Sequence, residues 1–147
     1  MNENFENIKI VVVISEFNSV IVSELLDSFN ERCKKYLGID KNIIFHTVPG
    51  AFEIPGMVSY ILENNMPDAI VTLGSVIRGE TNHYDYVAEN CARGISELSI
   101  KFNLPIIFGV LCTENLEQAL VRSKSKGGDM LDAAIQTLIE YRKVDKH

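Results

Sequence analysis

Between Ile8 and Ile14 the chain reads IKIVVVI. A nearly unbroken β-branched run of this kind has no polar face to turn to water. It predicts a strand covered on both sides, as in a parallel sheet sandwiched between helices. The rest of the sequence supplies the partners. Val22, Leu26, Phe29, Cys33 and Tyr36 recur at helical spacing, and Gly38 stops that run. Ile43 to Val48 predicts a second strand, and Ile54 to Glu63 a helix that accommodates Pro55 in its first turn. Ala69 to Leu73 predicts a third buried strand. Tyr84, Val87, Cys91, Ile95, Leu98 and Phe102 mark one face of a long helix, and Pro105 to Leu111 a fourth strand. Two helices are expected to close the chain, from Asn115 to Ser123 and from Asp129 to Arg142, separated by the lysine- and glycine-rich SKSKGGD. This alternation predicts an α/β fold, a three-layer α/β/α sandwich around a four-stranded parallel sheet.

A length of 147 residues fits one domain spanning residues 1–147. The net charge of -6 argues against nucleic acid as the main partner, since binding a phosphate backbone needs a basic surface. No apolar run reaches bilayer-spanning length, and MNENFENIKI has none of the features of a signal peptide. Cys33, Cys91 and Cys112 are far apart and set among apolar residues, so they read as reduced core residues of a cytoplasmic protein. Neither Cys nor His pairs occur at ligand spacing, which argues against a zinc site.

In a parallel sheet of this type ligands bind beyond the carboxyl ends of the strands, where the strand order reverses. The segments to inspect are therefore SEFNS, PGAFEI, GSVIRGETNHY and CTEN. The densest is Gly74 to Tyr86, GSVIRGETNHYDY. Gly74 and Gly79 would let the backbone turn and approach a ligand closely. Thr81 stands just before the long helix, where its hydroxyl can cap the helix or contact a ligand. The amides of Glu80 and Thr81 form a natural anion site at the helix start, provided the Glu80 carboxylate points away. His83, in the first helical turn beside that site, can exchange protons. The plain alternative for this segment is a loop with a threonine cap and a surface histidine.

The other segments each allow two readings. Glu53 and the backbone of Ala51 and Phe52 could bind a polyol, or Phe52 is core and Glu53 serves the next helix. Phe17 could stack on a planar heterocycle and Asn18 bond a hydroxyl, or Asn18 or Ser19 caps the helix with Phe17 packed behind it. Arg122 suits bidentate phosphate recognition, or is a cation well placed at a helix C-terminus. Phe108 is most simply core, yet at an interface it could reach a neighbour's pocket. His46 and His147 are given no role.

Taken together, these residues resemble the lumazine synthase family. The carrying pieces are Phe17-Asn18, VPGAFEIP from Val48 to Pro55, GSVIRGETNHYDYV from Gly74 to Val87, PIIFGVLCTEN from Pro105 to Asn115, and Glu117-Gln118-Ala119 with Arg122. They cover nearly the whole chain, and the central motif is highly specific. The resemblance implies a flavodoxin-like strand order and condensation of a ribitylamino-pyrimidinedione with a butanone phosphate. Phe17 would stack on the pyrimidinedione, and Ser75, Val76 and Ile77 would bond its edge. Asn18, Ala51, Phe52 and Glu53 would hold the ribityl chain. Glu80, Thr81 and Arg122 would hold phosphate, and His83 would shuttle protons. Phe108 would come from the neighbouring subunit of a homopentamer or a multiple of one.

No metal or organic cofactor is implied. The only other partner suggested is riboflavin synthase. Met130 stands about where the family places a phosphate-site lysine, so either Lys124 or Lys126 substitutes or phosphate affinity is weaker. That departure motivates an alternative, a non-catalytic lumazine- or flavin-binding member of the same fold. A receiver-like signalling module would want an Asp closing the third strand, where this chain has Gly74. MNENFEN looks too polar for the extra strand that many members add to a neighbour's sheet.

Overall fold

The computed structural model describes residues 3–146. His147 and the first two residues of MNENFEN lie outside them. Four strands, β1 (Ile10–Ser15), β2 (Ile43–Val48), β3 (Ala69–Ile77) and β4 (Ile106–Thr113), form one parallel sheet in the order β2-β1-β3-β4. The helices are α1 (Ser19–Cys33), α2 (Ile54–Asn64), α3 (His83–Phe102) and α4 (Leu116–Asp145). The chain steps from β1 to β2 in one direction, then crosses back over β1 to β3. With right-handed crossovers, that reversal sends successive helices to opposite faces. It also opens a crevice between the carboxyl ends of β1 and β3.

Side-chain alternation along the strands divides the core into two. Ile10, Val12 and Ile14 of β1 join Val71 and Leu73 of β3 beneath α1 and α4, whose Leu25, Phe29, Leu131 and Ala134 fill that side. Val11 and Val13 face the other way, with Ile70, beneath α2 and α3, where Ile54, Val58, Cys91 and Ile95 close the core. The strand predicted at Ile8 to Ile14 is therefore buried on both faces, starting at Ile10. Cys91 is buried and Cys33 and Cys112 half-buried, all as free thiols. Burial pushes the Cys91 thiol up to about 12 and, with help from the Asp40 charge, Cys33 up to about 11. Among the described residues no helix is long and apolar enough to cross a membrane.

Three expectations are corrected. First, α1 ends at Cys33, and Tyr36 lies beyond it in the turns that lead to Gly38 at φ 82°. Tyr36 still packs on the core, edge-on to Phe5. Second, β3 does not stop at Leu73 but runs through Gly74, Ser75 and Val76 to Ile77. Gly74 is thus a strand residue rather than a turn. A Cβ there would stand 2.2 Å from the Ser15 hydroxyl of β1, so its missing side chain makes room for a neighbour.

Third, the two expected C-terminal helices are one. α4 runs through SKSKGGD without a break, and Arg122 lies within it rather than at its end. Asn115 caps it, its side chain accepting from the Gln118 amide at 2.9 Å while the Gln118 side chain accepts from Glu114. The two glycines let α4 approach α1. A Cβ on Gly127 would fall 1.8 Å from the Leu25 carbonyl oxygen, and one on Gly128 3.0 Å from Arg32 and the Ser28 carbonyl. The seam is fastened by the Gly128 amide donating to the Ser28 hydroxyl and by Arg32 paired with Asp129 and Asp132. Helix propensity, about 1 kcal/mol against each glycine, loses to burial across that contact.

Candidate active site

The crevice at the β1/β3 reversal holds a cavity of about 640 Å³. Its walls come from the segments that follow β1, β2 and β3. From the first come Phe17 and Asn18. Glu16 and Phe17 donate their amides to the carbonyls of Val48 and Pro49, which ties this segment to the end of β2. Phe17 is 71 % exposed, so it does not pack behind the helix. Its ring offers a free face to a planar ligand.

Asn18 takes the left-handed region at φ 65°, rare outside glycine but tolerated by asparagine. It stands at the start of α1 but makes no capping bond. Its side-chain amide instead donates to the Ser75 carbonyl at 3.0 Å, bridging β1 and β3. That leaves its carbonyl oxygen as an acceptor. A strained residue held in place by a tertiary bond is the kind of feature that clusters at binding sites.

The segment after β2 gives Ala51, Phe52 and Glu53, with Pro49 and Gly50, to which the sequence assigns no role. Ala51–Glu53 form a single 3-10 turn whose first amide, that of Gly50, donates to the Glu53 carboxylate at 2.9 Å. Glu53 thus orders its own turn and keeps its other oxygen available. Phe52 is 56 % exposed, which removes the reading of it as core.

From β3 and the start of α3 come Ser75, Val76, Ile77, Thr81 and His83, together with Gly79, Tyr84 and Val87. The Ser75 hydroxyl is buried and has no partner among the described residues, while its carbonyl is the group that accepts from Asn18. The Thr81 hydroxyl accepts from the His83 amide at 3.2 Å, which starts α3 and leaves the hydroxyl proton free to donate. The amides from Gly79 to Asn82 donate to nothing among the described residues. At the positive end of a 20-residue helix, such amides attract an anion. Glu80 is exposed and outside the cavity lining. Tyr84 and Val87 read in the sequence only as the inner face of α3. Their place directly after the anion loop was the signal that they also reach the cavity.

Two expected residues stand elsewhere. Phe108 of the edge strand β4 is half-buried against the α2/α3 side of the core. Arg122 lies on the exposed first part of α4, beside Asn115, Glu117, Gln118 and Val121. Among the described residues no lysine or arginine lines the cavity. Met130 is packed into the α1/α4 side of the core, and neither Lys124 nor Lys126 lines the cavity.

The comparisons with known proteins bear directly on this arrangement. The sequence profile of the family described as 6,7-dimethyl-8-ribityllumazine synthase matches residues 7–142. A protein of Limosilactobacillus reuteri named 6,7-dimethyl-8-ribityllumazine synthase is 39 % identical over 137 residues, 93 % of this chain and 89 % of that one. The chain belongs to the 6,7-dimethyl-8-ribityllumazine synthase family. As a member of this enzyme family it carries the expected parallel sheet, and the family match runs through every segment that builds the cavity.

Proposed function

We propose that the protein condenses 5-amino-6-(D-ribitylamino)uracil with 3,4-dihydroxy-2-butanone 4-phosphate, giving 6,7-dimethyl-8-ribityllumazine, inorganic phosphate and water in riboflavin biosynthesis. The observation that carries this is the joining in one cavity of an exposed aromatic, polyol-binding groups and an anion-ready helix start beside a histidine. Phe17 takes the pyrimidinedione face, while Ser75, Val76 and Ile77 take its edge. Asn18, Glu53 and the backbone of Ala51 and Phe52 take the ribityl hydroxyls. The amides at Glu80 and Thr81, with the Thr81 hydroxyl, take the phosphate.

The substrate's own 5-amine adds to the ketone and water leaves, so no enzyme lysine is needed for the imine. Loss of a proton next to the imine then expels phosphate, and the ribityl-bearing nitrogen closes the ring with loss of a second water. His83, one turn from the anion site, moves the proton, and holding two substrates in one cavity supplies much of the rate. Mixing the two substrates with the protein should produce the lumazine chromophore with one phosphate released per turnover. Binding of the pyrimidinedione without turnover would leave only the ligand-binding role.

A phosphate held by backbone amides and the Thr81 hydroxyl lacks a cation, and the described residues that line this chain's own cavity include no lysine or arginine. We further propose that Arg122 and Phe108 act in the cavity of an adjacent copy, in a homopentamer or paired pentamers. Head-to-tail contacts of this type close into rings. Light scattering should give a mass of five chains or a multiple of five. A monomer with full activity would refute the shared cavity.

A further inference from the structure

We infer that Arg78 is a positioning residue for the reaction: it clamps the start of α3, and so Thr81 and His83, to the ends of β3 and β4. This rests on the functional reading above, in which those two residues serve the chemistry.

Arg78 is the first residue beyond β3, and its amide donates to the Thr113 carbonyl at 2.9 Å, which fixes its backbone against β4. Its side chain then joins two further elements. Nε lies 2.8 Å from the Glu114 carboxylate, in the turn after β4. The two terminal nitrogens face the two oxygens of Asp85 at 3.2 and 3.4 Å, in the first turn of α3. The guanidinium plane also covers the Tyr84 ring, with its carbon 4.3 Å from the ring centre. Tyr84 is itself a wall of the cavity. Gly79 to Asn82 are therefore held at both ends by one side chain, from Arg78 before the loop to Asp85 after it.

The ion pairs are solvent-exposed, with Asp85 and Glu114 more than half exposed, so their contribution to global stability is small. What they fix is a direction. A planar fork with a stacked ring restrains rotation as well as distance, and lysine cannot reproduce either contact. An ångström of drift in a reacting group can lower turnover severely. Gly79 to Asn82 donate no amide bond among the described residues, and the bonds that Thr81 and Asn82 accept come only from the first turn of α3 itself, so they do not tie the loop to the sheet.

The test uses the full-length protein with R78A, R78K and the double variant D85N/E114Q, alongside H83A. For R78A and for D85N/E114Q, kcat should fall about tenfold with the KM for the pyrimidinedione nearly unchanged, because Phe17, Asn18 and Glu53 are untouched. R78K should behave like R78A. Amide hydrogen exchange at His83, Asp85 and Tyr86, whose amides donate to the Thr81 hydroxyl and the Asn82 carbonyl, should quicken in all three, while exchange in α1 and α4 stays as in the wild type. If R78K matches the wild type, Arg78 acts through its charge, and the clamp is wrong. Unchanged exchange at His83, Asp85 and Tyr86 in R78A would also overturn it. H83A separates the two levels: full activity there would remove His83 from the reaction, while the exchange measurement still decides whether Arg78 holds the loop.

Discussion

Replacing Gly127 by alanine tests the α1–α4 seam, because the same substitution at Gly56 should have the opposite sign. Both glycines are helical, Gly127 in α4 and Gly56 in α2. Alanine is favoured over glycine in a helix by about 1 kcal/mol, so helix propensity alone predicts that both variants gain stability. At Gly56 nothing lies within 4 Å of an added Cβ, and the gain should appear nearly in full, about 0.5–1 kcal/mol. At Gly127 the new methyl would stand 1.8 Å from the Leu25 carbonyl oxygen, against an ordinary contact of 3.4–4 Å. The obstacle is backbone, so no rotamer change relieves it and the helices must part by about 1.5 Å. That loosens Leu25, Phe29, Leu131 and Ala134, all at 0 % exposure. Overpacking of this kind costs about 1–3 kcal/mol, and a rigid backbone obstacle puts it at or beyond the upper end. Net of propensity, G127A should lose about 2 kcal/mol, lowering Tm by about 4–8 °C for a chain of this size. Urea denaturation followed by far-UV circular dichroism reads this directly. The variants are compared at equal protein concentration, since an oligomer's apparent stability depends on it. G127A as stable as the wild type, or moving with G56A, would refute the close-contact argument.

H83A should lower kcat about ten- to a thousandfold in a protein that still folds, the usual size of a general acid–base contribution. Steady-state kinetics checks this, and an unchanged kcat removes His83 from the mechanism. R122A should raise KM for the sugar phosphate far more than for the pyrimidinedione, by about 1.5–3 kcal/mol if a charged hydrogen bond is lost. If Arg122 serves a neighbour's cavity, H83A and R122A chains refolded together at equal amounts should regain activity in about a quarter of their sites. No recovery would place Arg122 with its own chain or outside the site. Finally, stability should decline as pH rises above 9. The unfolded chain releases the Cys91 proton near 9, whereas the fold holds it to about 12, so the stabilising difference is lost across that window. The loss from this group is up to about 4 kcal/mol, and C91A should flatten the alkaline limb of a pH-dependent denaturation series.

Much of the fold was legible because the sheet's interior strands announce themselves locally. IKIVVVI and AIVTL need only their β-branched character to be read, and the helical faces of α1 and α3 need only their spacing. What escaped depended on contacts between distant segments. Gly74 looks like a turn until Ser15 is seen to occupy its missing side chain, and Gly127 and Gly128 look like a break until Leu25 and Arg32 are placed against them. The site followed the same rule. Its segments were visible as the stretches after strands, but the choice between binding and packing for Phe17 and Phe52 lies in their exposure, which only the tertiary structure fixes. Tyr84 and Arg78 were hidden for opposite reasons, one inside an amphipathic pattern and the other as an ordinary surface cation.

Asn18 shows how narrow a single position can become. Its backbone sits where glycine is at ease, while its side-chain amide must donate a hydrogen bond to the Ser75 carbonyl. Glycine would keep the backbone and lose the bridge between β1 and β3. Aspartate would tolerate the backbone but set a carboxylate against a carbonyl oxygen. Alanine or serine would strain the first and abandon the second, and glutamine, one methylene longer, would overreach. Single-codon changes at this site therefore lead away from function in nearly every direction. In a library randomised at residue 18 and selected for lumazine production, asparagine should be recovered almost alone, whereas position 56 should accept most of the alphabet.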